Sequence, residues 1–76
     1  METIKTNYKY GFILVQPFQK YFENGSYVLK RELPHLVNTA HVVDIIVGCK
    51  DCLIRLVGGT TLTVDKEELM EQLRLL

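Results

Sequence analysis

Residues 41–65 read HVVDIIVGCKDCLIRLVGGTTLTVD. Three runs rich in Val, Ile, Leu and Thr are punctuated by GCKDC and by Gly58-Gly59. β-branched runs between turn residues predict three successive antiparallel strands. Asp44 is the only acidic or basic side chain among residues 42–47, so at least one face of the first strand must be buried. If Lys50-Asp51 is a two-residue turn, Val47 faces Ile54 and Ile45 faces Leu56, and Cys49 and Cys52 close that same apolar face. A two-residue Gly58-Gly59 turn would bring Thr61 and Thr63 onto this face. A three-residue loop with a glycine bulge instead pairs Leu56 with Leu62 and Ile54 with Val64, and is the expected geometry.

Downstream, Asp65 stands at a helix N-cap, with Glu68 three residues on as its capping-box partner and acidic residues in the first turn. Leu69, Leu73 and Leu76 fall at i, i+4 and i+7 beside Met70, an apolar stripe that predicts a C-terminal helix packed on the sheet or on a partner.

Upstream, Asn24-Gly25 separates FQKYFE from SYVLKR. A type I′ turn requires positive φ at both central residues, which Asn and Gly tolerate best. The pair therefore predicts a hairpin with Phe22 opposite Tyr27 and Tyr21 opposite Val28. From Tyr8 a strand-like run continues to a break near Pro17. Residues 1–7 read as a ragged terminus or a short lead-in strand. Leu33 to Ala40, after Pro34, reads as a connector with one helical or 3₁₀ turn.

At 76 residues the chain is one domain that buries only about 60% of its unfolded surface, so dimerisation would add much. Formal net charge is zero, unlike the strongly basic balance of a dedicated nucleic-acid binder. The longest unbroken apolar run is Phe12 to Val15, and METIKTNYKY shows no charged-then-apolar export pattern. No membrane association and a cytoplasmic location are the expectations.

Cys49 and Cys52 raise three chemistries. A zinc site would need His35, His41, Cys49 and Cys52 together, but an extended strand from 42 to 48 holds His41 roughly 25 Å from the cysteine turn. A thioredoxin-like pair sits at a helix N-terminus, and here two strands flank it. The plain reading is two small residues closing a hairpin, with a reversible disulfide or zinc switch as the alternative. No catalytic set is assembled: the histidines and cysteines fall at opposite ends of one strand, and Glu67, Glu68 and Glu71 form a solvated helix face. No cofactor is implied. Lys20, Tyr21, Lys30 and Arg31 share one hairpin and are the candidate nucleic-acid contacts.

The runs HLVNTAHVVDII and CLIRLVGGTTLTVDKEELMEQL resemble the C-terminal half of LytTR-type DNA-binding domains, in which a Leu-Val-Asn segment precedes a strand, a glycine-turn hairpin and a final helix. Leu36-Val37-Asn38 and Gly59-Thr60-Thr61-Leu62 carry the likeness, over about residues 28–76. The resemblance implies a DNA-binding regulator. Glu32, Leu33 and Pro34 stand where that pattern has a basic His-Arg-Ser stretch, which leaves Lys30 and Arg31 as the basic residues nearby.

The expected architecture is α+β, mainly an antiparallel sheet or small open barrel of five to six strands with one C-terminal helix. The expected function is a small non-catalytic regulatory or adaptor module that binds a protein partner or itself, with Met70, Leu73, Leu75 and Leu76 as its interface. The alternatives are a LytTR-like DNA-binding regulator and a thiol or zinc switch.

Overall fold

The computed structural model describes the backbone of residues 2–4 and all of residues 11–76. Eight strands and one helix are described: β1 (Glu2–Ile4), β2 (Phe12–Val15), β3 (Phe18–Glu23), β4 (Ser26–Arg31), β5 (His35–Asn38), β6 (Val42–Val47), β7 (Asp51–Leu56), β8 (Thr61–Asp65) and α1 (Lys66–Arg74), with a 3₁₀ turn at Thr39–His41. They form a four-stranded antiparallel sheet in the order β1-β6-β7-β8 and two antiparallel pairs, β2-β5 and β3-β4. The fold is α+β and mainly antiparallel, as three sheets rather than a closed barrel.

Two strands raise the number above the five or six expected. One is β1, the lead-in strand, which pairs Thr3 with Ile46. The other is β5, inside the stretch read as a connector. Leu36 and Val37 pair with Leu14 and Ile13, more than twenty residues earlier in the chain, and local periodicity carries no trace of so distant a partner. The preceding strand is described only from Phe12; Tyr8 and Tyr10 lie outside the described residues.

One core serves the large sheet, the β2-β5 pair and the helix. Ile45, Val47, Cys52, Ile54, Leu62 and Val64 project from one face of the sheet and meet Ile13, Val15, Val37 and Leu69. Leu69 is fully enclosed, which for a leucine is worth about 2 kcal/mol. Met70, Leu73 and Leu76 are partly buried against this core.

Both predicted turn registers differ from the structure by two residues. Val47 pairs with Cys52 and Ile45 with Ile54, so the two-residue turn is Cys49-Lys50, with the Gly48 N–H donating to the Asp51 carbonyl at 2.8 Å. A Cβ on Gly48 would lie 2.8 Å from that carbonyl oxygen, and the absence of a side chain there lets the turn close one pair earlier. At Gly58-Gly59 the loop has three residues, but Leu56 faces Thr60 and Ile54 faces Leu62. A shift of two preserves the faces because side chains alternate with period two, so the predicted core residues stay in the core.

Asp44 is buried on the opposite face and accepts both the Nε–H and the Nη2–H of Arg55, its cross-strand partner. This pairing explains a charge within an apolar strand. The bulge at Val43 lets Val42 still face the core.

Asp65 caps α1 by accepting from the Glu68 N–H at 3.2 Å. The reciprocal half of the capping box is replaced. Glu68 Oε1 accepts the Gln16 N–H at 2.6 Å, and Gln72 Oε1 accepts the Leu14 N–H at 2.9 Å. Four helical residues rise about 6 Å and two strand residues about 6.6 Å, so residues 68 and 72 match the spacing of alternate N–H groups on β2. Among the described residues, β2 is thus bounded by β5 on one edge and by helix side chains on the other.

Glu68→Ala is expected to lower unfolding free energy by about 1–2 kcal/mol, because it leaves a part-buried N–H unpaired, whereas Glu68→Gln keeps an acceptor oxygen and most of the stability. Urea denaturation of the two variants measures the difference. By the same method Arg55→Ala is expected to cost about 2 kcal/mol and more than Asp44→Ala, since it takes two hydrogen bonds and a counter-charge from a buried carboxylate while the half-exposed guanidinium can rehydrate.

Candidate binding surface

The hairpin β3-β4 projects from the body, and the molecule measures 43 × 26 × 25 Å. Its turn is type I′ in character, with φ of 51° at Asn24 and 80° at Gly25. The predicted pairs Phe22 with Tyr27 and Tyr21 with Val28 are present. Every arm residue from Gln19 to Arg31 is exposed, and Phe18 alone is buried at the base.

Alternation divides the arm into two faces. One carries Lys20, Phe22, Tyr27, Leu29 and Arg31; the other carries Tyr21, Val28 and Lys30. Phe22 and Tyr27 meet edge-on with ring centroids 5.3 Å apart, a favourable aromatic geometry, while 66% and 72% of their surfaces remain open. The candidate nucleic-acid residues therefore do not converge on one face: Lys20 and Arg31 lie on the first, Tyr21 and Lys30 on the second. Lys20 Nζ stands 3.9 Å from Asp51 and 6.0 Å from the Tyr27 ring, and Arg31 lies over Phe18 at 5.9 Å. An ion pair this exposed contributes little to stability.

The C-terminal candidates also separate. Met70, Leu73 and Leu76 are partly buried against the core, and Leu76 Cδ2 reaches to 2.8 Å from where a Cβ on Gly11 would stand. Leu75 alone is exposed. Exposed apolar side chains gather instead on the arm and on the outer face of β2-β5, where Phe12, Leu14 and Leu36 adjoin. The signal in the sequence is the arm's own pattern: large apolar residues occupy both parities of one hairpin, so no single body face can cover them all.

The cysteines part company. Cys52 is buried beside Val47 and Val64, and Cys49 is exposed in the turn, both as free thiols. The predicted common face is corrected by the register shift, which moves Cys49 from a strand position into the turn itself. Among the described residues no three of His, Cys, Asp and Glu gather where a metal could bind. An open cleft of ≈ 630 Å³ lies between this turn and α1, where Lys50, Lys66 and Arg74 alternate with Asp65, Glu67 and Glu71. Charges so interleaved offset one another and form no pocket of one sign. No described helix is long and apolar enough to cross a membrane.

No protein-family model, curated protein or solved structure matches the chain.

Burial pushes the Cys52 thiol above its ordinary 9.0, partly offset by a hydrogen bond with the Gly48 backbone. Iodoacetamide at mildly alkaline pH is therefore expected to label Cys49 rapidly and Cys52 only after denaturation, a pattern read by peptide mass spectrometry. The folded state holds the Cys52 proton more tightly than the unfolded chain. Its contribution to stability is complete below pH 9.0 and fades as pH rises through the higher folded value. Cys52→Ala removes that share of the alkaline loss.

Proposed function

We propose that the chain is a small non-catalytic regulatory or adaptor module, acting by binding a protein partner or itself through the β3-β4 arm. The observation that carries this reading is the arm's surface: Tyr21, Phe22, Tyr27, Val28 and Leu29 are all exposed on a continuously paired hairpin. Aromatic side chains supply much of the energy at protein interfaces, and a monomer rarely leaves such a group uncovered. A non-catalytic role is supported by the placing of the reactive side chains. Cys52 is enclosed, Cys49 is on a turn, and His35 and His41 sit on β5 and the 3₁₀ turn. A cytoplasmic location goes with this reading.

A LytTR-like DNA-binding regulator is the second reading, favoured by the cations beside exposed aromatics on the same arm. A two-stranded ribbon has the width to enter a major groove. Lys20, Lys30 and Arg31 would then hold phosphates.

Phe22→Ser/Tyr27→Ser tests both. Its circular dichroism is expected to stay near wild type and its stability to fall by only about 1 kcal/mol, since both rings are exposed and lose little besides their mutual edge-on contact. Self-association by light scattering, or retention of a defined protein partner, is expected to fall at least tenfold, as loss of two interface aromatics implies. Association that survives the double change unaltered would refute the arm as the binding element. A complex with random duplex DNA that weakens steeply with salt and disappears in Lys30→Ala/Arg31→Ala would establish the second reading instead.

A further inference from the structure

Among the described residues, the outer edge of the arm's β4 is unpaired. The Glu32 N–H donates to the Pro17 carbonyl at 2.8 Å at the base of the hairpin. Alternation along an antiparallel ladder then assigns Gln19/Lys30, Tyr21/Val28 and Glu23/Ser26 as the hydrogen-bonded pairs. The N–H and C=O groups of Tyr27, Leu29 and Arg31 are left pointing away from β3. No described strand pairs with that side of β4. The β3 edge is different: Lys20 pairs with Asp51, and the strand runs close to β8.

Native edge strands are usually blunted by proline, a bulge or charges along their length. β4 has neither proline nor bulge, and its six residues pair with β3 without interruption. Its two cations, Lys30 and Arg31, lie together at one end. That distribution selects an orientation. Parallel pairing of two β4 strands would lay the cations against each other, whereas antiparallel pairing carries them to opposite ends.

We infer that two copies of this chain pair antiparallel through their β4 edges, Leu29 against the partner's Leu29, to form one four-stranded sheet from two arms. A two-fold axis perpendicular to the sheet keeps each face continuous and requires opposed residues to share a parity. With Leu29 on the axis, Tyr27 stands against the partner's Arg31 and Arg31 against the partner's Tyr27. These are two cation–aromatic contacts of a favourable kind, and no like charges stand directly opposed. Phe22, Tyr27 and Leu29 of both copies then line one apolar face. Two strands alone are marginal in water and four are not. The zero net charge sets no long-range repulsion against the encounter.

This inference rests on the arm as the binding element and names its partner as a second copy. The test is sedimentation equilibrium of the full chain with Leu29→Glu and Leu29→Lys. In each variant alone, like charges meet on the axis, and the dimer dissociation constant is expected to rise at least about tenfold. An equimolar mixture places Glu against Lys and is expected to restore dimer. Leu29→Glu faces Lys20 within its own hairpin, so that variant keeps a favourable cross-strand pair, and circular dichroism confirms that it folds. A monomeric wild type, a Leu29→Glu variant as dimeric as wild type, or a mixture that stays monomeric would overturn the pairing. A monomeric wild type that still loses a protein partner on Phe22→Ser/Tyr27→Ser removes the dimer while leaving the module reading in place.

Discussion

The helix side chains that saturate β2 join the two ends of the chain. Gln16 and Glu68 are separated by 52 residues, Leu14 and Gln72 by 58, and without these bonds the edge of β2 would present unpaired N–H groups beside the core. The contact works because one residue, Asp65, starts the helix in the right place: its cap to Glu68 N leaves the Glu68 carboxylate free to turn outward to the strand. Leu69 is thereby held over Ile13 and Val15, and the β2-β5 pair becomes the second wall of the core. A small chain with limited surface to bury gains in this way a layered interior from strands too short to be stable alone.

Period and turn chemistry made most of this architecture legible. The Asn24-Gly25 hairpin, the alternation through Ile45, Val47, Ile54, Leu62 and Val64, and the Asp65 cap are all local patterns, and each is present in the structure. The registers flanking Gly48 and Gly59 were not legible, since a shift of two leaves every side chain on its own face. Only the backbone contact between Gly48 and Asp51 distinguishes the two turns. β5 escaped for a different reason: its partner lies across the arm, and four residues after a proline carry too little pattern to mark a strand. Glu68 is the instructive case at the site of contact. A capping-box partner and a strand-edge acceptor require the same residue type at the same position, and tertiary geometry alone decides between them.

The candidate surface was legible in composition and not in placement. Lys20, Tyr21, Lys30 and Arg31 were visible as one hairpin's cations and aromatics, but alternation puts them on two faces. The C-terminal leucines were visible as an apolar stripe, and most of that stripe is spent on the core, against which Met70, Leu73 and Leu76 pack beside the buried Leu69. What remains uncovered is chiefly the arm and the outer face of β2-β5, and the arm carries large apolar residues on both of its faces.

An exposed apolar hairpin is a hazard as well as an opportunity, because a free edge invites unlimited addition of strands. The placement of charge along β4 argues for a limited outcome. Lys30 and Arg31 at one end tolerate an antiparallel neighbour and penalise a parallel one, and a two-fold pair consumes the outward edge of both copies at once. On the far side of each arm, β3 runs nearer to β8 and carries Lys20 beside Asp51, so its edge is more crowded by the body than that of β4. The same few charges that dilute the apolar surface therefore give the arm an orientation.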